Sequence, residues 1–384
     1  MIPLSVPYIK GNEWQYVKEC LDTEWVSTAG TYVERFETDF RSYVGAAHAV
    51  ACVNGTAALQ VALRIVGLLP GEEVIVPTVT FIATVNAVKY LGGNPVFMDC
   101  DDCYNIDVDK TIHFLERETE FKNGNTYDRM TGNRIAALVP VHVFGNAVRL
   151  WELTALCRER GIRVVEDAAE SLGTFYVSAQ LKDRHTGTVG DIGCFSFNGN
   201  KIITTGGGGM IVTDAQGYAE RAKYLTTQAK DDEVRFIHNE VGYNYRLPNV
   251  QAAIGVAQLE LLPEYLEIKR SNYQRYREGI DSIEGLTLAG TPSYAHNNHW
   301  MYALQVDSSA YGRDREGLMA HLSTHGIESR PLWRLNHLQA PYRDCRSYLI
   351  EKAPRLLDAT LNIPCSTNLS HGDVEYVVEK LRDA

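Results

Sequence analysis

The chain has 384 residues, 45% hydrophobic and 22% charged, which is enough for one large globular unit or two ordinary ones. Its 37 basic and 48 acidic residues leave a formal net charge of −11, which argues against binding to nucleic acid or to an anionic membrane. No stretch is apolar for long enough to span a bilayer, and Met1-Ile2-Pro3-Leu4-Ser5-Val6-Pro7 lacks the charged segment and apolar core of a signal peptide.

In chain order, short apolar runs at 49–53, 74–76, 95–98, 135–139, 162–165 and 210–212 are rich in β-branched residues and mostly continuous rather than alternating. That is the pattern of strands buried on both faces. Helical patterns lie between them. Residues 56–66 place Leu59, Ala62, Leu63 and Val66 on one side, and 150–160 carry Leu153, Leu156 and Cys157 before Gly161, a helix-ending glycine. Strands alternating with helices predict an α/β fold with a mainly parallel sheet between helices. Residues 116–133 are polar and read as an exposed excursion from that core, and 177–188 as a second loop. From about Pro248 the texture changes to a long helical pattern interrupted at Pro263, then to shorter mixed segments near Trp300 and a helix near Leu318. This predicts a large unit, 1–249, and a smaller C-terminal α/β unit, 250–384.

The eight cysteines are scattered, with Cys52 and Cys194 inside apolar runs, as expected of reduced, buried thiols in a cytoplasmic protein. Cys100 and Cys103 form a CxxC without a second pair, so two unrelated cysteines are a better reading than a zinc site. The histidines lack metal-ligand spacing, and no metal is expected. Neither a Gly-x-Ser-x-Gly nucleophile elbow nor a P-loop is present.

Lys201 is the most informative residue. It follows Phe195-Ser196-Phe197-Asn198-Gly199-Asn200 and precedes Ile202-Ile203-Thr204-Thr205 and four glycines, 206–209. An apolar lead-in, with glycines that admit close backbone approach, suits an amine that must reach a carbonyl carbon and form a Schiff base. The alternative is an ordinary lysine beside a flexible turn. Asp167 ends the run Val164-Val165-Glu166-Asp167, where ligands gather in open α/β sheets. It could pair with the pyridinium nitrogen of pyridoxal phosphate or simply cap the following segment. Asn54-Gly55-Thr56 joins a strand to a helix, and the free N–H groups there make an anion site, with Ser196 a second contributor. Phe81, after Pro77-Thr78-Val79-Thr80, reads as core or as a ring stacked on a planar cofactor.

Together these segments resemble the DegT/DnrJ/EryC1/StrS family of nucleotide-sugar aminotransferases, over nearly the whole chain. The resemblance rests on Trp25-Val26-Ser27-Thr28-Ala29-Gly30, Asn54-Gly55-Thr56-Ala57-Ala58-Leu59, Glu166-Asp167-Ala168-Ala169-Glu170-Ser171-Leu172-Gly173, Gly190-Asp191-Ile192-Gly193 with Ser196, Phe197 and Lys201, and Gly242-Tyr243-Asn244-Tyr245-Arg246-Leu247. It implies a fold-type I pyridoxal-phosphate transferase in which Lys201 carries the cofactor and Asp167 meets its ring nitrogen. Glu170 would lie near the ring hydroxyl, Phe81 would cover the ring, and Gly55, Thr56 and Ser196 would hold the phosphate. Asn244 would reach the phosphate of a neighbouring subunit, hence a homodimer with shared sites. Val26, Ser27, Arg246, Arg330, Trp333 and His337 become candidate substrate contacts. The implied substrates are a nucleotide-linked keto sugar and L-glutamate, which leaves as 2-oxoglutarate. The stretches 198–209 and 326–333 resemble most the aminotransferases of bacillosamine and legionaminic acid pathways, which act on UDP-2-acetamido-2,6-dideoxy-4-keto-hexoses. The rivals are a GDP-perosamine synthase-like enzyme and a non-catalytic, cofactor-binding regulatory homologue.

Overall fold

The structure is a computed structural model that describes residues 1–178, 180–232 and 234–384. Ala179, inside the loop expected at 177–188, lies outside the described residues. A ten-stranded sheet forms the centre, with a path running His48–Cys52, Gly209–Thr213, Ile192–Ser196, Arg163–Asp167, Arg134–Leu138, Glu73–Pro77, Asn94–Met98, Ser347–Tyr348. From Ile192–Ser196 to Ser347–Tyr348 every neighbour on this path is parallel. Gly209–Thr213 is antiparallel to both of its neighbours. It therefore begins at the edge where the others end.

The six apolar runs are strands of this sheet, buried on both faces as their continuous hydrophobicity requires. Val74 and Val76 face one apolar cluster and Ile75 the opposite one, the period-2 alternation of a strand. Helices Gly55–Ile65 and Gln216–Thr226 supply the first cluster. Helices Thr31–Val44, Val108–Arg117, Leu150–Glu159 and Asn249–Glu260 pack on the other side. Helix Leu150–Glu159 ends before Gly161, whose φ of +67° is the left-handed turn expected there.

The excursion at 116–133 is not simply an exposed loop. Thr119–Lys122 and Asn125–Asp128 form a hairpin that extends the sheet through Arg134–Leu138, with Thr119, Thr126 and Asp128 buried. Asn123 and Gly124 both have positive φ, 52° and 76°, the turn that an Asn-Gly pair favours between strands. The loop at 177–188 is anchored at its far end by buried His185, whose Nε2 accepts the Gly173 N–H at 2.7 Å.

Pro263 falls in the first turn of helix Leu262–Ile280, which follows Asn249–Glu260 after a break at Leu261. Beyond it lies a four-stranded antiparallel sheet, Leu286–Leu288, Tyr302–Val306, Thr360–Ile363 and Arg330–Pro331. Helices Arg315–Thr324 and His371–Arg382 share its apolar cluster. The C-terminal part returns to the large sheet: Ser347–Tyr348 adds to it, and Asp99 accepts the N–H groups of Glu351, Lys352 and Ala353, each at 2.9 Å. The chain's first residues pack in turn on the C-terminal part, with the Ile2 N–H donating to Gly326 and the Cys365 N–H to Leu4. No described helix is long and apolar enough to cross a membrane.

Asp99 is fully buried and also accepts from Lys110 Nζ at 2.7 Å. Burial alone would raise its pKa, but Lys110 and the three N–H groups outweigh it and hold the carboxyl below its ordinary value. The stability this gives is present above the ordinary carboxylate range and is lost as the pH falls through the depressed pKa. Asp99→Ala strands those donors and should cost roughly 3 kcal/mol in urea unfolding at neutral pH. A loss under about 0.5 kcal/mol would contradict this role.

Candidate active site

The parallel strands bring their carboxyl ends to one edge, and there a cavity of about 300 Å³ opens. Its walls come from five separate stretches of chain: 54–59, 80–84, 167–170, 196–208, and Trp300 with Met301 and Trp333. Asn54, after the first strand, caps helix Gly55–Ile65 by accepting the Ala57 N–H at 2.7 Å. The first N–H groups of that helix therefore face the cavity without a helical acceptor, at the positive end of its dipole. Gly55 must be glycine, because a Cβ there would come within 2.9 Å of the Ser196 Cβ. Gly209 is constrained in the same way, by the Asn54 carbonyl at 2.5 Å. Bare backbone thus lets the helix start, Ser196 and the glycine run approach one another.

Asp167, 4% exposed, ends its strand with both oxygens engaged. Oδ2 accepts from the Thr84 hydroxyl at 2.7 Å and Oδ1 from the Ala169 N–H at 3.1 Å. Burial raises its pKa, while Thr84, Ala169 and the charge on Lys201 pull the other way. Its neighbour Glu166 points into the opposite surroundings. It accepts the Gly187, Val189 and Gly190 N–H groups and bonds His142 Nε2 at 2.8 Å. The Val148 N–H donates to His142 Nδ1 at 3.1 Å, so Nε2 is the protonated nitrogen that donates to Glu166. Glu166 and His142 are a buried bracket under the cavity floor.

Glu170 Oε2 accepts the Phe144 N–H at 2.8 Å, and Oε1 lies 3.8 Å from Lys201 Nζ. Burial pushes the Glu170 carboxyl up to about 7, with Lys201 opposing that rise and Asp167 adding to it. Burial also lowers the Lys201 amine, against the attraction of Glu170 and Asp167. The 3.8 Å contact is a full ion pair only when both groups are charged, and burial drives both towards their neutral forms. On its other side, Lys201 Nζ lies 4.0 Å from the centre of the Trp300 indole. Phe81 is 53% exposed at the cavity wall, edge-on to Trp333 with ring centres 6.4 Å apart, which removes the core reading.

Lys201, Gly55, Thr56, Phe81, Asp167, Glu170, Ser196 and Trp333 therefore share one cavity. Val26, Ser27, Asn244, Arg246, Arg330 and His337 do not line it. Val26, Ser27 and Asn244 are exposed on the surface of the chain. Arg330 pairs with Glu328, and His337 Nδ1 bonds the Thr78 hydroxyl at 2.6 Å. Reasoning from sequence missed Thr84, which holds Asp167, and Trp300, which faces Lys201. Among the described residues, no three His, Cys, Asp or Glu side chains gather to hold a metal.

This chain belongs to the DegT/DnrJ/EryC1/StrS aminotransferase family, whose model matches residues 7–382. It is a pyridoxal-phosphate-dependent sugar aminotransferase of fold-type I. It is 35% identical over 382 residues to the GDP-perosamine synthase of Caulobacter vibrioides, covering 99% of this chain and 97% of that protein. It is also 35% identical over 387 residues to the putative pyridoxal phosphate-dependent aminotransferase EpsN of Bacillus subtilis, covering 99% and 95%. The crystal structure of the aminotransferase TlmJ from Streptoalloteichus hindustanus superposes with a TM-score of 0.88 at 29% identity, covering 100% of this chain and 98% of that one.

Below about pH 7 Glu170 keeps a proton that an unfolded glutamate would release near 4.5. Native stability therefore falls as the pH rises through that window, by at most about 1.4 kcal/mol per pH unit. Glu170→Gln removes this slope, so in the cofactor-free chain the variant should gain on wild type between about pH 5 and 7.5. Glu73, also raised to about 7, affects both proteins alike. Urea titrations across the window measure the difference, and a constant difference would contradict the raised pKa.

Proposed function

We propose that this chain moves an amino group from L-glutamate to the 4-keto carbon of a nucleotide-linked 4-keto-6-deoxy sugar, giving 2-oxoglutarate and the 4-amino sugar. The observation that carries this reading is the meeting of an amine, a buried carboxylate and a helix N-terminus in one cavity: Lys201, Asp167 and Gly55–Thr56.

The residues fit pyridoxal phosphate. The cradle that a Cβ at Gly55 would fill, between the helix start and Ser196, suits a phosphate. Asp167, its orientation fixed by Thr84 and Ala169, suits a protonated ring nitrogen. Glu170 suits the ring hydroxyl, and Phe81 suits a covering face. When bound, the cofactor supplies an aldehyde carbon and an electron sink for charge at the donor's Cα. Lys201 is the amine that meets that aldehyde. Once free, Lys201 is positioned to take the proton from the donor's Cα and return one to C4 of the sugar. Lowering of its pKa by burial favours the neutral base that this needs. Phe81, Trp300 and Trp333 wall the cavity with apolar surface that excludes water.

We take the sugar to be GDP-linked, on the strength of the full-length match to a GDP-perosamine synthase. The UDP-linked N-acetyl sugar of the bacillosamine and legionaminic acid pathways is the second reading, resting on the resemblance of 198–209 and 326–333. Asn244 is exposed and outside its own cavity, so we assign it to the cavity of a second copy and the working unit to a homodimer. The rims of two such cavities are where Val26, Ser27, Arg246, Arg330 and His337 have a part in binding sugar. A large unit of 1–249 and a small one of 250–384 belong to the same proposal, as does a cytoplasmic location, supported by eight free cysteines.

Lys201→Ala should abolish the visible absorbance of the cofactor-loaded protein and lower turnover roughly 10³-fold or more. Unchanged spectrum and rate would overturn the assignment. With glutamate as donor, wild type should aminate a GDP-linked 4-keto-6-deoxy sugar at least about tenfold better than the UDP-linked N-acetyl sugar, as kcat/KM. The reverse ratio would select the second reading, and no turnover of either would exclude both.

A further inference from the structure

Trp300 is tied down more thoroughly than packing requires. Its N–H donates to Asn298 Oδ1 at 2.9 Å, and its carbonyl accepts from Lys269 Nζ at 2.7 Å. Its indole N–H donates to the Asn200 carbonyl, also at 2.7 Å. Lys269 is 2% exposed and spends its amine on two main-chain carbonyls, those of Trp300 and Cys365. Burying a lysine for that purpose makes sense only if the position of those carbonyls matters. The Asn200 carbonyl, which also receives the Ser5 hydroxyl at 3.1 Å, belongs to the residue immediately before Lys201. The indole thus grips the peptide that carries the lysine and at the same time lays its face 4.0 Å from the lysine's amine.

The opposite side of the amine is braced from the same point. Asn298 Nδ2 donates to the Glu170 carbonyl at 2.8 Å and to the Leu172 carbonyl at 3.0 Å. A Cβ at Gly145 would fall 1.9 Å from Asn298 Oδ1, so this asparagine fits a space that only glycine leaves open. The carboxylate and the indole flanking Lys201 are therefore referenced to one side chain, although Glu170 and Trp300 are 130 positions apart.

We propose that Trp300 is the positioning residue for the Lys201 amine: its indole face seats the ammonium form, and its N–H holds the peptide that aims it. This rests on Lys201 being the reacting amine. A lysine that alternates between bonded and free states needs a place to wait as a cation after taking a proton. A carboxylate on both sides would over-stabilise that cation and slow its return. An indole face attracts a cation more weakly and without a hydrogen bond to break. The charged and titratable groups facing Lys201 are then Glu170 and Asp167 on one side, with Trp300 as the uncharged attractor on the other.

The test reads the amine rather than the reaction, so it separates failure of this inference from failure of the proposed function. In the full-length, cofactor-free protein, acetic anhydride labelling of Lys201 is followed against pH by mass spectrometry, with Lys269 as the internal reporter of folding. Trp300→Leu should shift the Lys201 profile to lower pH, so that labelling at a fixed pH below the midpoint rises about threefold or more. Trp300→Phe, which keeps a weaker ring face, should fall between wild type and Leu. Trp300→Met fills the volume without a ring and should match Leu, and it replaces Leu if that variant exposes Lys269. A wild-type profile in Leu or Met with Lys269 still protected overturns the proposal, as does a Phe profile no different from the ringless variant. If both ringless variants expose Lys269, the Phe profile decides alone: a shift to lower pH supports the proposal, and coincidence with wild type overturns it.

Discussion

Burying charge is costly, and the cavity of this protein holds an amine and two carboxylates out of bulk water. Lys201 lies between Glu170 and Trp300, and Asp167 is fixed nearby by Thr84 and Ala169. The surrounding fold works to keep these groups apart, oriented and partly neutral. The parallel strands deliver Asp167, Ser196 and the first helix to one edge, and the reversed strand Gly209–Thr213 starts there, bringing the Lys201 loop with it. Beneath, Glu166 consumes three N–H groups and the His142 ring, so that of two adjacent carboxylates one is committed to structure and the other faces the cavity.

The C-terminal part closes the arrangement. Trp300 and Trp333 are cavity walls that the large sheet cannot supply. They are held in place by the ties through Asp99, by Ser347–Tyr348 on the sheet edge, and by Asn298 against the loop at Gly145. Phe144 belongs to the same joint. It is held at φ +57°, uncommon for a non-glycine residue, while donating its N–H to Glu170 and packing on Trp333 at 5.1 Å. Changes in this joint are therefore expected to reach the chemistry without touching the cofactor site directly.

Much of this was legible in the sequence, for identifiable reasons. Continuous apolar runs announce strands with two buried faces, and a carboxylate or glycine at the end of such a run announces the ligand edge, so Asp167, Gly55 and Lys201 stood out. The hairpin at 119–128 was missed because its strands are short and polar, although Asn123-Gly124 is a turn signal. Thr84, Asn298 and Trp300 left no local trace. Each acts through a partner tens to more than a hundred positions away, and only folding brings those partners together. Arg330 and His337 carry suitable chemistry, yet their side chains are engaged by Glu328 and Thr78 in the single chain, so residue type alone overstated their place in the site.

The central claim is that one lysine among the many in this chain bonds the cofactor. Borohydride reduction of the cofactor-loaded protein, followed by proteolysis and mass spectrometry, tests it directly, because reduction fixes the cofactor to whichever amine holds it. The account predicts a single modified peptide containing Lys201, with Asp167→Ala weakening the loading and leaving the site of attachment unchanged. Cofactor fixed to another lysine, or to none, would contradict it.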